Sequence, residues 1–452
     1  MSDVKTVDLT SGPILKSLSE LALPIMISAL LATAYNIMDM AWIGLLGSKA
    51  VAGVGVGGMY VWLSQGLVTL AKMGGQIHVA QSCGRKDHEQ ARAYATSAIQ
   101  LTVLLGLLFS LVCVVFIHPL LGFFHLTDAQ TYADAKVYTL ITCGLIVFSF
   151  LGMTLTGLST AQGDSKTPLF ANFIGLITNM ILDPLLILGI GPCPKLAVAG
   201  AAIATVTAQV VVFLILVLRI HRSKLEPNVL RNLHLFSRFP GKYYKNIFQI
   251  GFPSAIQTSL YCFISMTLTR MVSGFGSAAI AVQRVGGQIE AVSWNTADGF
   301  AAALNAFIGQ NYGARKNDRI RKSYSISFKL LAAWGLLVTI AFVFLPGPIC
   351  SLFFHEKEAL AIGIDYLIII GFSETFMCIE LMTIGALSGL GKTRLSSIIS
   401  IVLTSARIPM AIILPQLGLG LNGIWWALTI SSIAKGIVFT LTFRHISQRL
   451  PE

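Results

Sequence analysis

No stretch of this chain is polar for long enough to build a soluble domain, and that constrains its fold more than any motif does. Only 12% of its residues are charged and 55% are hydrophobic, whereas soluble domains carry about a quarter charged residues. Twelve apolar segments can be marked, near 15–46, 50–80, 93–118, 131–158, 168–190, 197–220, 244–274, 278–310, 323–353, 359–389, 395–415 and 420–443. Each approaches or exceeds the roughly 20 residues that cross the hydrocarbon of a bilayer as a helix. Several exceed that minimum, so tilted spans or ends projecting into water are expected. The pattern predicts an all-α integral membrane protein with twelve transmembrane helices. The polar N-terminus lacks a cleavable signal pattern, so the first helix is expected to direct its own insertion.

The segments repeat. A shift of 229 positions places Pro24 on Pro253, Leu31 on Leu260, Gly47-Ser48 on Gly276-Ser277 and Gly57-Gly58 on Gly286-Gly287. It also places Gln81 on Gln310 and Gly84 on Gly313, with no gap from 24 to 84. Six spans per half is an even number, so both halves enter from the same side and form parallel repeats. The expected organisation is an N-terminal six-helix bundle over 1–220, a cytoplasmic linker over 221–243 and a C-terminal six-helix bundle over 244–452. The linker is expected to hold a short amphipathic helix at the interface. Pro24 and Pro253 read as equivalent bends in the two bundles.

Charge sets the orientation. Loops after even-numbered spans carry Arg85, Lys86, Arg92, Lys166, Arg222, Lys224, Arg231, Arg238, Lys242, Arg315, Lys316, Arg319, Lys392 and Arg394, among others. The opposite loops and helix ends carry only Lys49, Lys136, Lys195 and Lys357. The positive-inside rule therefore puts both termini and the linker in the cytoplasm. The net charge of +12 is absorbed by topology and contact with anionic lipid, and nucleic acid is not an expected partner. The seven cysteines show neither metal spacing nor a disulfide framework and read as small apolar fillers.

Ionisable groups inside a membrane are costly, and each is a functional candidate. Asp39 lies mid-way along the first span, with Tyr35 and Asn36 on its helical face. Its carboxyl can bind a proton, a sodium ion or a cationic substrate, or it can be a structural acid paired with Lys72 or Arg284. Asp183 lies in the fifth span with Asn179 four residues before it and Pro184 directly after. Pro184 cannot donate to the Met180 carbonyl, so the helix should bend and free an acceptor there. Carboxylate, amide and carbonyl together suit a hard cation or a proton relay. Thr205 and Thr207 in the sixth span are further candidates for that site. The repeat gives neither acid a counterpart: Asp39 falls on Leu268, and Asp183-Pro184 has only Ile408-Pro409 near its place.

The second half carries Arg270, Arg284, Glu290, Asp298, Glu374, Glu380, Arg407 and Lys435 instead. Arg284, flanked by Gln283 and Gln288, is a candidate substrate or coupling contact. As a buried base it needs a partner, for which Glu290, Glu374 and Glu380 are available. Glu374 and Glu380 are six apart and so lie on different helical faces.

These residues resemble the multidrug and toxic compound extrusion (MATE) transporters over nearly the whole chain. The resemblance rests on the duplicated twelve-helix plan and on Asn36-x-x-Asp39. It rests also on Asn179-x-x-x-Asp183-Pro184, on QGDSKTP at 162–168 and on its counterpart GLGKTR at 389–394. It implies a MATE-like fold and export of cationic or amphipathic compounds driven by inward proton or sodium flow, by a monomer. Asp39, Asn179, Asp183 and Thr205 match the family's cation site. The seventh span reads YCFISMTLT at 261–269 and lacks the acid of the sodium-driven NorM-type branch. With Arg284 in the eighth span, the chain is more similar to the DinF-type branch, which implies proton coupling.

The expected function is thus a proton-coupled multidrug antiporter of a bacterial inner membrane, with sodium at Asp39 and Asp183 as the other coupling ion and no cofactor. A flippase for a lipid-linked precursor is the alternative, supported by Arg270, Arg284, Arg407 and Lys435. An enzyme is not expected, because His78, His118, His125 and His355 are isolated and no catalytic constellation is present.

Overall fold

The computed structural model describes residues 7–124, 128–189, 194–222, 228–231, 233, 237, 240–354 and 356–450, without the side chains of Asn36, Ile37, Ser48 and Ser277. Every regular element among them is a helix. The first half contains α1 (Ile14–Gly44), α2 (Ser48–Gly84), α3 (His88–Val115), α4 (Ile117–Gly122), α5 (Ala129–Gly144), α6 (Ile146–Ala161), α7 (Lys166–Leu188) and α8 (Val198–Arg222). The second contains α9 (Gly241–Ser273), α10 (Ser277–Gly313), α11 (Asn317–Phe344), α12 (Pro346–Ser351), α13 (Lys357–Gly389), α14 (Thr393–Ser405), α15 (Arg407–Leu414), a π-helical turn (Pro415–Leu419) and α16 (Gly420–Gln448). Most of the expected amphipathic linker helix lies outside the described residues; residues 229–231 form a turn.

The backbone keeps the register of the sequence repeat. Helices α2 and α10 are both 37 residues long and start 229 positions apart; α3 and α11 are both 28 residues long with the same offset. Lys86 and Arg315 occupy matching positions, and both have positive φ, at 61° and 57°. Past α4 and α12 the register slips by one: α5–α6 covers 129–161 and α13 covers 357–389. The first of these is broken at Leu145 and bent by 46°, while α13 is continuous.

Nine described helical stretches are long and apolar enough to cross a membrane, and the bent pair α5–α6 makes a tenth. Helix α10 is as long as α2 but more polar, carrying Arg284, Glu290 and Asp298 beside several Asn, Gln and Ser residues. Residues 393–448 form a 56-residue stretch, which at 1.5 Å per residue would run roughly 80 Å, far beyond one bilayer. Gly418 interrupts it with φ 94°, and α14 and α15 both pack back against α16. It is therefore two spans, and with α10 the twelve are complete.

Small residues set the helix packing, as they do where lipid removes the hydrophobic drive between helices. In the first half Gly106 lets α3 approach the backbone of Val147, and Gly57 lets α2 approach Tyr138 and Thr139. The second half repeats both contacts, with Gly335 against Thr375 and Gly286 against the Tyr366 ring.

The chain divides into two compact units, one of residues 1–8 and 27–255 and one of 9–26 and 256–452. The expected boundaries, 1–220 and 244–452, differ from this at the first helix of each half. Each of those helices changes unit two residues after its proline, Pro24 in α1 and Pro253 in α9. The cause is visible within each unit. In the first, side chains on Gly74 and Gly251 would strike Ile247 and Leu70 carbonyls, so α2 and α9 meet backbone to backbone. Asn246 also donates to Tyr94 at 2.8 Å, and Gln100 Nε2 donates to the Ser237 carbonyl at 3.0 Å. In the second, Leu9 is fully buried, and Asn311, Lys316 and Arg319 donate to the carbonyls of Leu9, Thr10, Ser11 and Gly12.

Candidate functional site

In the first unit five sequence-predicted residues meet. Tyr35 and Asp39 share one face of α1, and Asn179 and Asp183 share one face of α7. Thr205 comes from α8. Asn179 and Asp183 are each 1% exposed, so neither polar group is solvated from water and each needs a partner. Oriented to suit its neighbours, the Asn179 amide donates to Asp183 Oδ2 at 2.8 Å and to the Tyr35 hydroxyl at 3.2 Å. Its oxygen accepts from the Thr205 backbone N–H at 3.2 Å. Tyr35 therefore receives one hydrogen bond from Asn179, and its hydroxyl shares a second with Thr205 Oγ1 at 3.2 Å. Asp39 and Asp183 lie within electrostatic range of each other. Asp39 Oδ1 is buried with no partner.

Tyr138 of α5 completes the cluster. It is 8% exposed and sits within electrostatic range of both acids and of Tyr35. Sequence reading missed it, because the gap-free repeat stops at Gly84. Carried forward with the one-residue slip, the repeat pairs Tyr138 with Tyr366, and Tyr366 lies in the polar site of the second unit. Pro184 lies inside α7, which continues to Leu188, and leaves the Met180 carbonyl without its usual donor. Thr178 bonds back to the Ile174 carbonyl at 2.8 Å and does not serve the site. The Asn36 side chain lies outside the described residues.

The second unit holds a different network. Lys435 of α16 forms a 2.7 Å ion pair with Glu380 of α13, the two side chains being 5% and 7% exposed. Arg407 of α15 donates from Nε to Ser431 at 3.1 Å and from Nη2 to Ser432 at 3.0 Å. Tyr366 donates to Glu290 Oε2 at 3.4 Å. Glu374 is 1% exposed, and its carboxyl lies near Ser293 and Glu290. Among the described residues the buried bases are Arg407 and Lys435. The Arg284 and Gln288 side chains are exposed, and no ion pair among the described residues involves Arg284. Gln283 donates to Thr269 at 3.2 Å. Glu374 and Glu380 are both buried, because α13 is packed on several sides, by α10, α11 and α16, and they have different neighbours: Glu374 lies near Glu290 and Ser293, and Glu380 pairs with Lys435. Among the described residues no three acidic, cysteine or histidine side chains converge to hold a metal ion.

Comparison with known proteins places both clusters in one family. The family described as MatE matches residues 24–185 and 253–413, one match in each half. A probable multidrug resistance protein NorM of Thermotoga maritima is 27% identical over 95% of this chain and 92% of its own length. A protein of Shewanella oneidensis named as an FAD transporter is 25% identical over 98% of this chain and 96% of its own. Among solved structures, a MOP superfamily transporter from Pyrococcus furiosus, described as having a binding pocket of reverse polarity that suggests a different function, superposes with TM-score 0.91. It is 23% identical, and each chain is covered in full.

The chain belongs to the MatE family. It is a multi-pass membrane transporter and not an enzyme.

Proposed function

We propose that this transporter exports amphipathic organic cations in exchange for protons, and that the exchanged proton is held between Asp39 and Asp183. The observation that carries the reading is the cluster in which Asn179 joins Asp183 to Tyr35 and Thr205, with Asp39 on the same helical face as Tyr35. Two neighbouring acids away from water are readily bridged by one proton. A sodium ion would instead need both groups ionised and turned toward the ion. Asn179, Tyr35 and Thr205 supply a relay of neutral donors and acceptors around the pair, so a proton can be gained or lost without stranding a polar group. Ionised, the pair would hold a cationic compound; protonated, it would release it. The two ligands then exclude one another, which is what obligatory exchange requires.

Orientation follows from the positive-inside rule, with both termini in the cytoplasm of a bacterial inner membrane. The lipid-flippase reading loses half its support, since Arg407 and Lys435 are engaged inside the second unit. The relatives' names cover multidrug resistance and FAD transport, so the substrate panel should contain an anionic flavin nucleotide beside cationic dyes.

The test is efflux of ethidium and of FAD from liposomes under an imposed pH gradient or an imposed sodium gradient. Ethidium movement driven by the pH gradient alone supports the proposal. A requirement for sodium, or transport confined to FAD, would overturn its ion or its substrate class respectively.

A further inference from the structure

The second unit buries more acid than base. Glu290 and Glu380 face Arg407 and Lys435, and Glu374 lies against Glu290, so the cluster holds three carboxyls and two cations. The bases are placed unequally. Arg407 donates to the hydroxyls of Ser431 and Ser432, and Ser431 passes a bond on to the Leu403 carbonyl at 2.8 Å. Of the two bases, Lys435 makes the direct ion pair, with Glu380 Oε1. Glu380 Oε2 remains buried without a partner. An ammonium is a compact point charge on a flexible stem, close in size and charge to an alkali cation stripped of its hydration shell.

We propose that Lys435 is an ion-specificity residue: its ammonium fills a monovalent-cation seat beside Glu380, so that the C-terminal bundle needs no inorganic cation. The seat is anionic without it. Removing Lys435 leaves one base for three carboxyls, and Glu380 loses its ion-pair partner. Breaking a buried pair on one side is strongly destabilising, because the remaining charge is stranded. The stranded carboxylate, whose Oε2 already lacks a donor, would recruit a small cation from solution. The seat suits a single positive charge, since among the described residues the acids do not converge on one point. The groups facing the seat are Glu380 of α13, Glu290 of α10, Arg407 of α15 and Tyr261 of α9.

The inference goes beyond the proposed exchange, because it concerns the other bundle and is read out without transport. Purified wild type, Lys435→Ala, Lys435→Arg and the double variant Lys435→Ala/Glu380→Gln are melted in detergent, in sodium chloride and in choline chloride at matched ionic strength. Lys435→Ala should melt several degrees higher in sodium than in choline, with the gain rising with sodium concentration. That gain is counted over any shown by the wild type. Lys435→Arg should add no sodium response, because it keeps the charge. The double variant should lose the response and regain stability in choline, because no carboxylate is left stranded. A folded Lys435→Ala that melts alike in both salts overturns the proposal. So does a Lys435→Ala that is unfolded in both salts while the double variant folds. Failure of the double variant as well would show that the lysine is needed for packing rather than for charge, which also overturns it.

Discussion

The two halves share a scaffold and build opposite kinds of polar interior on it. In the first unit, acids meet neutral partners: Asp39 and Asp183 face each other, and an amide, a threonine and two tyrosines surround them. In the second, acids meet bases: Lys435 pairs with Glu380, and Arg407 lies near Glu290. One element is common. Tyr138 and Tyr366 occupy equivalent positions, each under an equivalent glycine, Gly57 and Gly286. Duplication therefore preserved the packing seam and one hydroxyl, while every charge was placed separately. On the proposed exchange, charge in the first bundle changes by a proton, whereas in the second Lys435 and Glu380 neutralise each other.

The strongest test of that contrast is Asp39→Asn. It should keep the fold and reduce proton-driven ethidium efflux to that of empty liposomes. An amide cannot take up and give back the proton. Full activity in this variant would falsify the assignment of the carrier.

The next test compares Asp183→Asn with Glu374→Gln in the same assay. The first should abolish coupled efflux. The second should leave efflux intact and the melting temperature close to that of the wild type, because glutamine keeps the size of the buried side chain and can still accept from Ser293. Equal losses in both would erase the distinction between the bundles.

A smaller effect is expected from the tyrosines. Tyr35→Phe removes its bonds to Asn179 and Thr205, at about 1 kcal/mol each, and should slow efflux several-fold. Tyr366→Phe removes one long bond to Glu290 and should cost about 1 kcal/mol of stability or less, with efflux unchanged. Thermal melts beside initial efflux rates separate the two outcomes.

The smallest effect lies outside the spans. Asp128 caps α5 through the Thr131 N–H and pairs with Lys49 at 2.7 Å. The Lys49 ammonium, with the cap, holds its carboxyl down at about 2, below an ordinary 3.8. A depressed acid contributes stability above its ordinary value and loses it as pH falls through its folded value. Asp128→Asn should therefore lower the melting temperature slightly above about pH 4, and the difference should fade toward about pH 2. A difference that grows as pH falls would contradict the cap and ion pair.

Much of this was legible in one dimension. Helix limits came within a few residues because the apolar runs end at charged loops. The Asn179–Asp183 and Tyr35–Asp39 pairings were legible because four residues make one helical turn. The pairing of Lys435 with Glu380 was not. The two lie on separate helices, 55 positions apart in sequence, and no local spacing records which helices become neighbours. Arg284 looked buried because it lies in an apolar run, yet its side chain is exposed; periodicity does not say which face of α10 is covered.

What the sequence determined by itself was class, number of spans, duplication and the identity of the acids, because hydropathy, charge and spacing act along the chain. Only the tertiary structure decided which charges neutralise each other, where Tyr138 goes, and that each half's first helix changes unit past its proline. Those outcomes depend on close approach between distant segments, through glycines such as Gly74 and Gly251 and through burial that leaves a charge no partner but the one packed against it.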